Sequence, residues 1–370
     1  MRDVLIIGAG ITGAACAWRL ATAGLRVLVV HEAPVGTEAT GAGMGHITAH
    51  GGAPGVWELS LLGRSLWQQW SAWLPPEVEY ARISTLWLIP DAHAMQEAQR
   101  WQELFIEAGF PAELLEESEL ALREPHLRSG WLGALWVPDD ATIYAPRAAW
   151  HLLERAQTLG AKLMQARVVA LEENAIRLEN GQRLASSWIV IAAGLGALTL
   201  LPELPLRPRR GHLAITDRCP GLIRHALVSL AYHDSVRAPE ARSRAFNLHP
   251  RPNGQVLIGS SREWDLWDRR PNPTWMAMLL AEACAHVPEL TSCPVLRAWT
   301  GLRAATSDGR PLIGPYPGQP RWLVATGQEG LGIAMAPAVA ELVAGYVLDR
   351  PPVLDPEPYR LEGRLCPNPS

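Results

Sequence analysis

The sequence predicts an α/β (α+β) fold in which a parallel-sheet domain is interrupted twice by a second domain built around an antiparallel sheet. Three observations carry this. The chain opens on an apolar strand, a glycine turn and a small-residue helix, "DVLIIGAGITGAACAWRLATAG". Two later apolar segments, residues 188–191 and the start of 322–348, run into glycines in the same manner. Between them, residues 80–138 and 206–302 have another texture, with a helical "AMQEAQRWQELFIEAGF" and strands such as "SRAFNLHP" and "GQVLIGSS".

The opening is a β-α-β unit: a strand over 3–7, a helix over 12–23 and a strand over 26–30, bounded by Gly24. Ala14, Ala15, Ala17 and Ala21 give the helix the small sheet-facing side that close packing needs. Its N-terminus follows Gly8, Ala9, Gly10, Ile11, Thr12 and Gly13, where backbone N–H groups and the helix dipole favour a pyrophosphate. The acidic residue expected about 20 residues on, to bond a ribose hydroxyl, is displaced. His31 holds that slot and Glu32 follows; Glu32 reaching back to the ribose is the favoured reading, with His31 replacing it, or Glu32 as a surface carboxylate at the strand end, as the alternatives.

The nature of the dinucleotide is read further along. "TEATGAGMGHI" (residues 37–47) follows the second strand almost at once, and its glycines would let backbone lie flat against a planar ligand. A nicotinamide-binding half would normally continue there into another helix and strand. Thr40, Gly41, Ala42, Gly43, Met44, Gly45 and His46 are the residues concerned. Residues 166–197 place strands on either side of the turn at 179–181 and end in Ala193 and Gly194; this resembles the element that closes over FAD in glutathione-reductase-like flavoproteins. Val168 is then expected on the adenine side. Residues 322–348 form a strand, a glycine loop (Gly327, Gly330, Leu331, Gly332, Ile333) and a helix. By the same resemblance that helix start faces the pyrimidine edge of the isoalloxazine, where its positive end stabilises negative charge.

With these segments together the sequence resembles the D-amino acid oxidase and glycine oxidase superfamily of FAD-dependent amine oxidoreductases, over roughly residues 3–350. "ATGAGMGHI" and "GQEGLGI" look most like the proline and D-hydroxyproline dehydrogenase group and the flavin subunits of opine and hydrogen cyanide synthase enzymes. The resemblance implies a glutathione-reductase-like FAD-binding Rossmann domain (1–79, 139–205 and 303–370), with FAD held non-covalently, and an antiparallel-sheet substrate domain (80–138 and 206–302).

"WTGLRAATSDGRPLIGP" (residues 299–315) resembles the family segment GLRP-x-TPDG-x-PLIG, in which the arginine, here Arg303, pairs with the substrate carboxylate. A planar guanidinium forks onto a carboxylate and fixes the carbon to be oxidised; a structural salt bridge is the alternative role for Arg303. Ala304 and Ser307 stand where prolines are common. Such enzymes take a hydride from the carbon bearing the amine to flavin N5 and release an imine that water hydrolyses. The implied substrate is a small amino or imino acid, of the proline, hydroxyproline, glycine, sarcosine or D-amino acid class, and the electron acceptor a diffusible quinone or dye-like molecule, or oxygen. His46 could bond the cofactor, help deprotonate the amine, or simply be satisfied by backbone. Tyr232 could cap the pocket, and Glu329 could contact the substrate amine or the flavin. Arg209, Arg210 and His212 are either pocket groups or a structural basic turn. Sarcosine-oxidase-like relatives use a lysine near N5 to activate oxygen; the only lysine here, Lys162, precedes the strand of Val168, so slow reaction with oxygen is expected. The alternative to a self-sufficient enzyme is a flavin subunit working with partner chains.

Composition narrows the rest. A length of 370 residues suits about two domains, and a net charge of -4 argues against nucleic acid as a partner. The five cysteines show no CxxC pair, so a reduced, cytoplasmic protein is the simplest expectation. No Ser/His/Asp, metal-ligand or iron–sulfur pattern stands out, and no transmembrane segment or signal sequence is expected.

Overall fold

The computed structural model describes residues 2–50, 52–230 and 242–366, and its element order opens with strand Arg2–Ile7, helix Ile11–Thr22 and strand Val27–His31. Contacts divide the chain into two units: Met1–Val78, Tyr144–Pro208 and Leu302–Ser370 form the first, Glu79–Ile143 and Arg209–Gly301 the second.

The first unit is built on a parallel sheet. Its strands lie in the order Gln319–Thr326, Arg183–Ile191, Arg2–Ile7, Val27–His31 and Lys162–Gln165, with Ile7 level with both Ile191 and Val30. Parallel strands covered on both faces read as unbroken apolar runs, and Val4, Leu5, Ile6 and Val27 to Val30 are all buried. Ala14, Ala15 and Ala17 of the first helix have no exposure, so small side chains let it lie close to the sheet and to helix Gly332–Leu348. Helix Val56–Trp70 meets the same long helix at Gly63, where a Cβ would fall 2.2 Å from the Ala334 carbonyl oxygen and 3.0 Å from the Met335 Cα. The stretch Glu329–Leu348 is long and apolar enough to cross a membrane by length and composition alone. It is 67% buried and its Glu341 pairs with Arg19 at 2.6 Å, the setting of a core helix.

The second unit is organised by an eight-stranded sheet in the order Val295–Thr306, Leu206–Thr216, Val256–Trp264, Arg242–Pro250, Ala226–Ser229, Thr85–Ile89, Gly133–Val137 and Glu113–Glu116. The pairings whose register is defined are antiparallel except the parallel join of Ala226–Ser229 to Thr85–Ile89. On one face Leu86, Leu88, Phe246, Leu248, Val256 and Ile258 form an apolar core with Met276, Ala283 and Val287. Helix Pro273–His286 is seated there by Asn272, whose side-chain oxygen accepts from the N–H groups of Thr274 and Trp275, a standard N-cap. Helix Ala92–Glu107 starts on an equivalent cap at Asp91 and carries Trp101, whose ring lies 5.0 Å from that of Trp87.

The expectation of reduced cysteines fails at one pair. Cys219 and Cys293 are disulfide-bonded across 74 residues, beside the core of the second unit, while Cys16, Cys284 and Cys366 are free. A spacing rule built on CxxC is blind to partners that only strand pairing brings together.

Candidate functional site

The glycine turn is the most constrained part of the first unit. Gly8 leaves strand Arg2–Ile7 with φ +112°, a conformation open to glycine, and a Cβ there would lie 2.5 Å from the Ala192 carbonyl oxygen. Gly13 is equally closed, since its Cβ would overlap the Gly8 carbonyl. These two glycines serve close approach of strand, turn and helix. Gly10 is the helix N-cap with an extended backbone and no side-chain cap, and no acidic residue occupies the first turn. The Ile11 N–H donates to Thr40 Oγ1 at 3.0 Å, which ties the loop after the second strand to the turn. What remains is a positive helix end without a protein anion, the setting that suits a diphosphate.

At the end of strand Val27–His31, the His31 Nδ1–H donates to the Ala33 carbonyl at 2.8 Å. That bond requires a proton on Nδ1 and leaves Nε2 as the acceptor of the neutral ring. Glu32 is 68% exposed and lies 3.7 Å from Arg167, so its carboxylate is turned to a surface cation.

In the 37–47 loop, protein packing accounts for two of the three glycines expected to lie against a planar ligand. A Cβ at Gly41 would sit 3.0 Å from the Gly36 carbonyl oxygen, and one at Gly43 2.7 Å from Ile333 Cδ1. Gly45 has φ +79°. Gly43 and Ile333 thus join two segments 290 residues apart. Ala42 and Met44 flank this contact, and Val168 is buried at the start of strand Val168–Glu172. Gly194 turns the chain after Ala193 with φ +55° and open space beside it, and the Thr326 hydroxyl donates to its carbonyl at 3.3 Å.

His46 begins the short strand His46–Ile47. Burial first, and then the neighbouring His50, push its pKa down to about 3. Because the folded value lies below the ordinary 6.5, the unfolded chain takes up the proton first as pH falls. The contribution to stability is intact above pH 6.5 and is lost progressively below it, with a maximal slope of about 1.4 kcal/mol per pH unit. Urea unfolding at pH 7 and pH 5 is expected to show a loss of about 2 kcal/mol from this residue, and His46→Gln to show a correspondingly smaller loss; equal losses in the two proteins contradict the assignment.

At the other end of the unit, strand Gln319–Thr326 passes through Gly327, φ +82°, into the turn Glu329–Leu331, which includes Gly330, and then into helix Gly332–Leu348. Glu329 accepts from the N–H of Gly330. Arg303 Nε stands 3.8 Å from Glu329 Oε1, and both side chains are 18% exposed. The guanidinium expected to meet a substrate carboxylate therefore has a carboxylate of the chain itself nearby, beyond hydrogen-bond length.

The basic turn resolves into structure. Arg210 pairs with buried Glu263 at 2.7 Å, and Trp275 Nε1 donates to the same carboxylate at 2.9 Å. His212 Nδ1–H donates to Ser261 Oγ, and its Nε2 accepts from the Asn272 N–H. Both groups brace the strand pair and helix Pro273–His286, the structural one of the two roles open to them. Arg209 is buried with its guanidinium 4.5 Å above the Trp264 ring. Tyr232 lies outside the described residues.

The sequence reading missed a polar set in the second unit. Asn247, His249 and Arg262 are buried on central strands, and Asn247 Oδ1 has no hydrogen-bond partner among the described residues. For Asn247 and His249 the signal was available in "FNLHP": Phe246 and Leu248 enter the apolar core, so these two, one step out of phase, occupy the opposite face. Among the described residues no group of three or more His, Cys, Asp or Glu side chains is arranged to hold a metal ion.

A parallel-sheet unit with a glycine turn opening a helix free of acidic residues in its first turn, and a second glycine loop opening a buried helix, has the build of a dinucleotide-binding flavoprotein oxidoreductase. The chain belongs to the FAD dependent oxidoreductase family, whose sequence pattern matches residues 3–346, and it is an FAD-dependent enzyme of amino acid oxidation. It is 29% identical to glycine oxidase of Pseudomonas aeruginosa, over 98% of this chain and 99% of that protein. It is 25% identical to hydrogen cyanide synthase subunit HcnC of the same organism, over 100% and 97%. Its fold matches the crystal structure of glycine oxidase from Geobacillus kaustophilus with a TM-score of 0.88 at 24% identity, covering 98% of each chain.

Proposed function

We propose that the protein oxidises a small amino or imino acid of the glycine, sarcosine, proline, hydroxyproline or D-amino acid class, with the substrate carboxylate on Arg303. FAD, when bound, supplies the hydride acceptor for the carbon bearing the amine. The observation that carries this reading is the Arg303 and Glu329 pair: a largely buried guanidinium held close to a carboxylate in the glycine loop that opens helix Gly332–Leu348. Arg303 anchors the substrate carboxylate and orients the carbon to be oxidised. Glu329 balances the Arg303 charge and offers its oxygen to the substrate amine. His46 is too weak a base near neutral pH to take a proton from an ammonium group, which leaves it a hydrogen-bonding role toward the cofactor. We assign the diphosphate to Gly8, Gly10 and Gly13, and a ribose hydroxyl to His31 Nε2 in preference to Glu32. The second unit is read as the substrate domain, with Asn247, His249 and Arg262 as its candidate pocket groups.

The test is anaerobic. The purified yellow protein is expected to bleach with at least one of glycine, sarcosine, proline, hydroxyproline or a D-amino acid; a chain that keeps its colour with all of them fails the reading. The second reading, a flavin subunit that needs partner chains, draws on the full-length likeness to HcnC and is favoured if the lone chain bleaches without turning over. Lys162 is exposed at the start of the sheet-edge strand Lys162–Gln165, so turnover with a dye or quinone is expected to exceed turnover in air. Equal or faster peroxide formation in air makes the protein an oxidase.

Non-covalent attachment of FAD has a specific support. The Cys16 thiol is fully buried and burial pushes its pKa up to about 12, which removes it as a nucleophile. Acid precipitation is expected to release all the yellow colour into the supernatant; colour retained in the pellet overturns this and implicates His46.

A further inference from the structure

Four tryptophans of the first unit form a continuous run of rings. Trp67 lies 5.2 Å from Trp70, which lies 4.6 Å from Trp18 and 5.9 Å from Trp73; Trp18 and Trp73 are 5.0 Å apart. The inner end is fixed at the cofactor segments. Trp67 is fully buried, and its indole N–H donates at 2.8 Å to the carbonyl of Ile333, the residue that packs on Gly43. The outer end, Trp18 and Trp73, is partly exposed.

Apolar packing explains why large rings fill this space, but four indoles in a chain with only 3 phenylalanines have a property that aliphatic filling lacks. With tyrosine, tryptophan is the aromatic side chain most readily oxidised by one electron, and ring separations of this size permit fast electron exchange. The Arg155 guanidinium sits 4.4 Å over the Trp73 ring. A fixed cation there disfavours a positively charged indole and favours loss of its N–H proton, which would hold an electron vacancy at the surface end.

We propose that Trp67, Trp70 and the pair Trp18 and Trp73 form a one-electron relay that carries an oxidising equivalent from the FAD segments to the protein surface. The proposal rests on FAD being bound as read above. Light-excited oxidised FAD, when bound, would supply the oxidant: the Trp67 indole gives up one electron, which the flavin would keep, reduced by one electron. Trp70 returns an electron to Trp67, and Trp18 or Trp73 returns one to Trp70; no atoms move in these steps. The surface indole then releases its N–H proton to water. A diffusible thiol restores it by giving one electron and one proton and leaves as a thiyl radical. The relay thereby moves damage away from the buried segments that hold the cofactor.

The experiment is a blue-light flash on the FAD-loaded protein, read by transient visible absorption and by electron paramagnetic resonance. The expected result is a persistent neutral tryptophanyl radical that decays faster when thiol is added. Trp70→Phe keeps an aromatic ring in place and is expected to lose most of the persistent signal while retaining bound flavin. Trp267→Phe, at an exposed site in the second unit, is expected to keep it. If Trp70→Phe does not hold FAD, the double variant Trp18→Phe/Trp73→Phe, which alters only the partly exposed rings, must show the loss instead. Unchanged radical yield in a flavin-loaded relay variant overturns the proposal. A yellow protein that an amino acid bleaches but that forms no radical also overturns the relay and leaves the proposed function standing. A radical in a protein that no amino acid bleaches does the reverse.

Discussion

Gly8→Val is expected to give a protein that neither retains FAD nor approaches the wild-type melting temperature. Gly8 has φ +112°, where an L side chain is strained, and its Cβ would sit 2.5 Å from the Ala192 oxygen and 2.8 Å from the Ala192 carbon. Those atoms are backbone at the end of a central strand whose neighbours on both sides are hydrogen-bonded, so no flexible tip can give way. Overpacking of a rigid site together with a disfavoured backbone costs on the order of 3 kcal/mol or more. The turn that meets the diphosphate must also move. Gly24→Ala is the internal comparison: φ is +83°, nothing lies within 4 Å, and the cost is about 1 kcal/mol of backbone preference. Thermal unfolding and the flavin-to-protein absorbance ratio read both. A Gly8→Val protein with full flavin content and a wild-type melting point contradicts the assignment of the turn.

Arg303→Leu is expected to raise KM for carboxylate substrates by roughly 30- to 5,000-fold, the equivalent of about 2 to 5 kcal/mol for removing one partner of a charge pair while the other stays desolvated. The neighbouring Glu329 enlarges the effect. Its carboxylate stands 3.8 Å from Arg303, and without the guanidinium it repels the incoming substrate carboxylate. An amine that lacks the carboxylate is expected to respond little, because it never used the lost pair. Steady-state kinetics with a matched amino acid and amine measure the difference. If both lose equally, Arg303 is structural and the carboxylate is bound elsewhere.

Which parts of the molecule were legible in advance follows from the range of the forces involved. The opening unit was readable because its requirements are local: a strand needs contiguous apolar residues, the turn needs glycine at Gly8 and Gly13, and the helix needs alanine where it nears the sheet. The family segments at 37–47, 299–315 and 322–348 were readable for the same reason. The placement of Asn247 and His249 opposite the apolar core was also written locally, as residues out of phase with Phe246 and Leu248.

The sequence by itself determined the kind of fold, the glycine turn and the family, because each depends on residues within a few positions of one another. Only the tertiary structure decided pairings across long separations. It placed Glu329 beside Arg303, drew Arg210 and His212 into a buried network with Glu263 and Ser261, joined Cys219 to Cys293, packed Ile333 on Gly43, and aligned Trp18 with Trp67, Trp70 and Trp73. Those outcomes depend on strand register and helix approach. A shift of one residue in a strand turns every side chain to the opposite face, so they belong to the packed whole and to no single stretch of the chain.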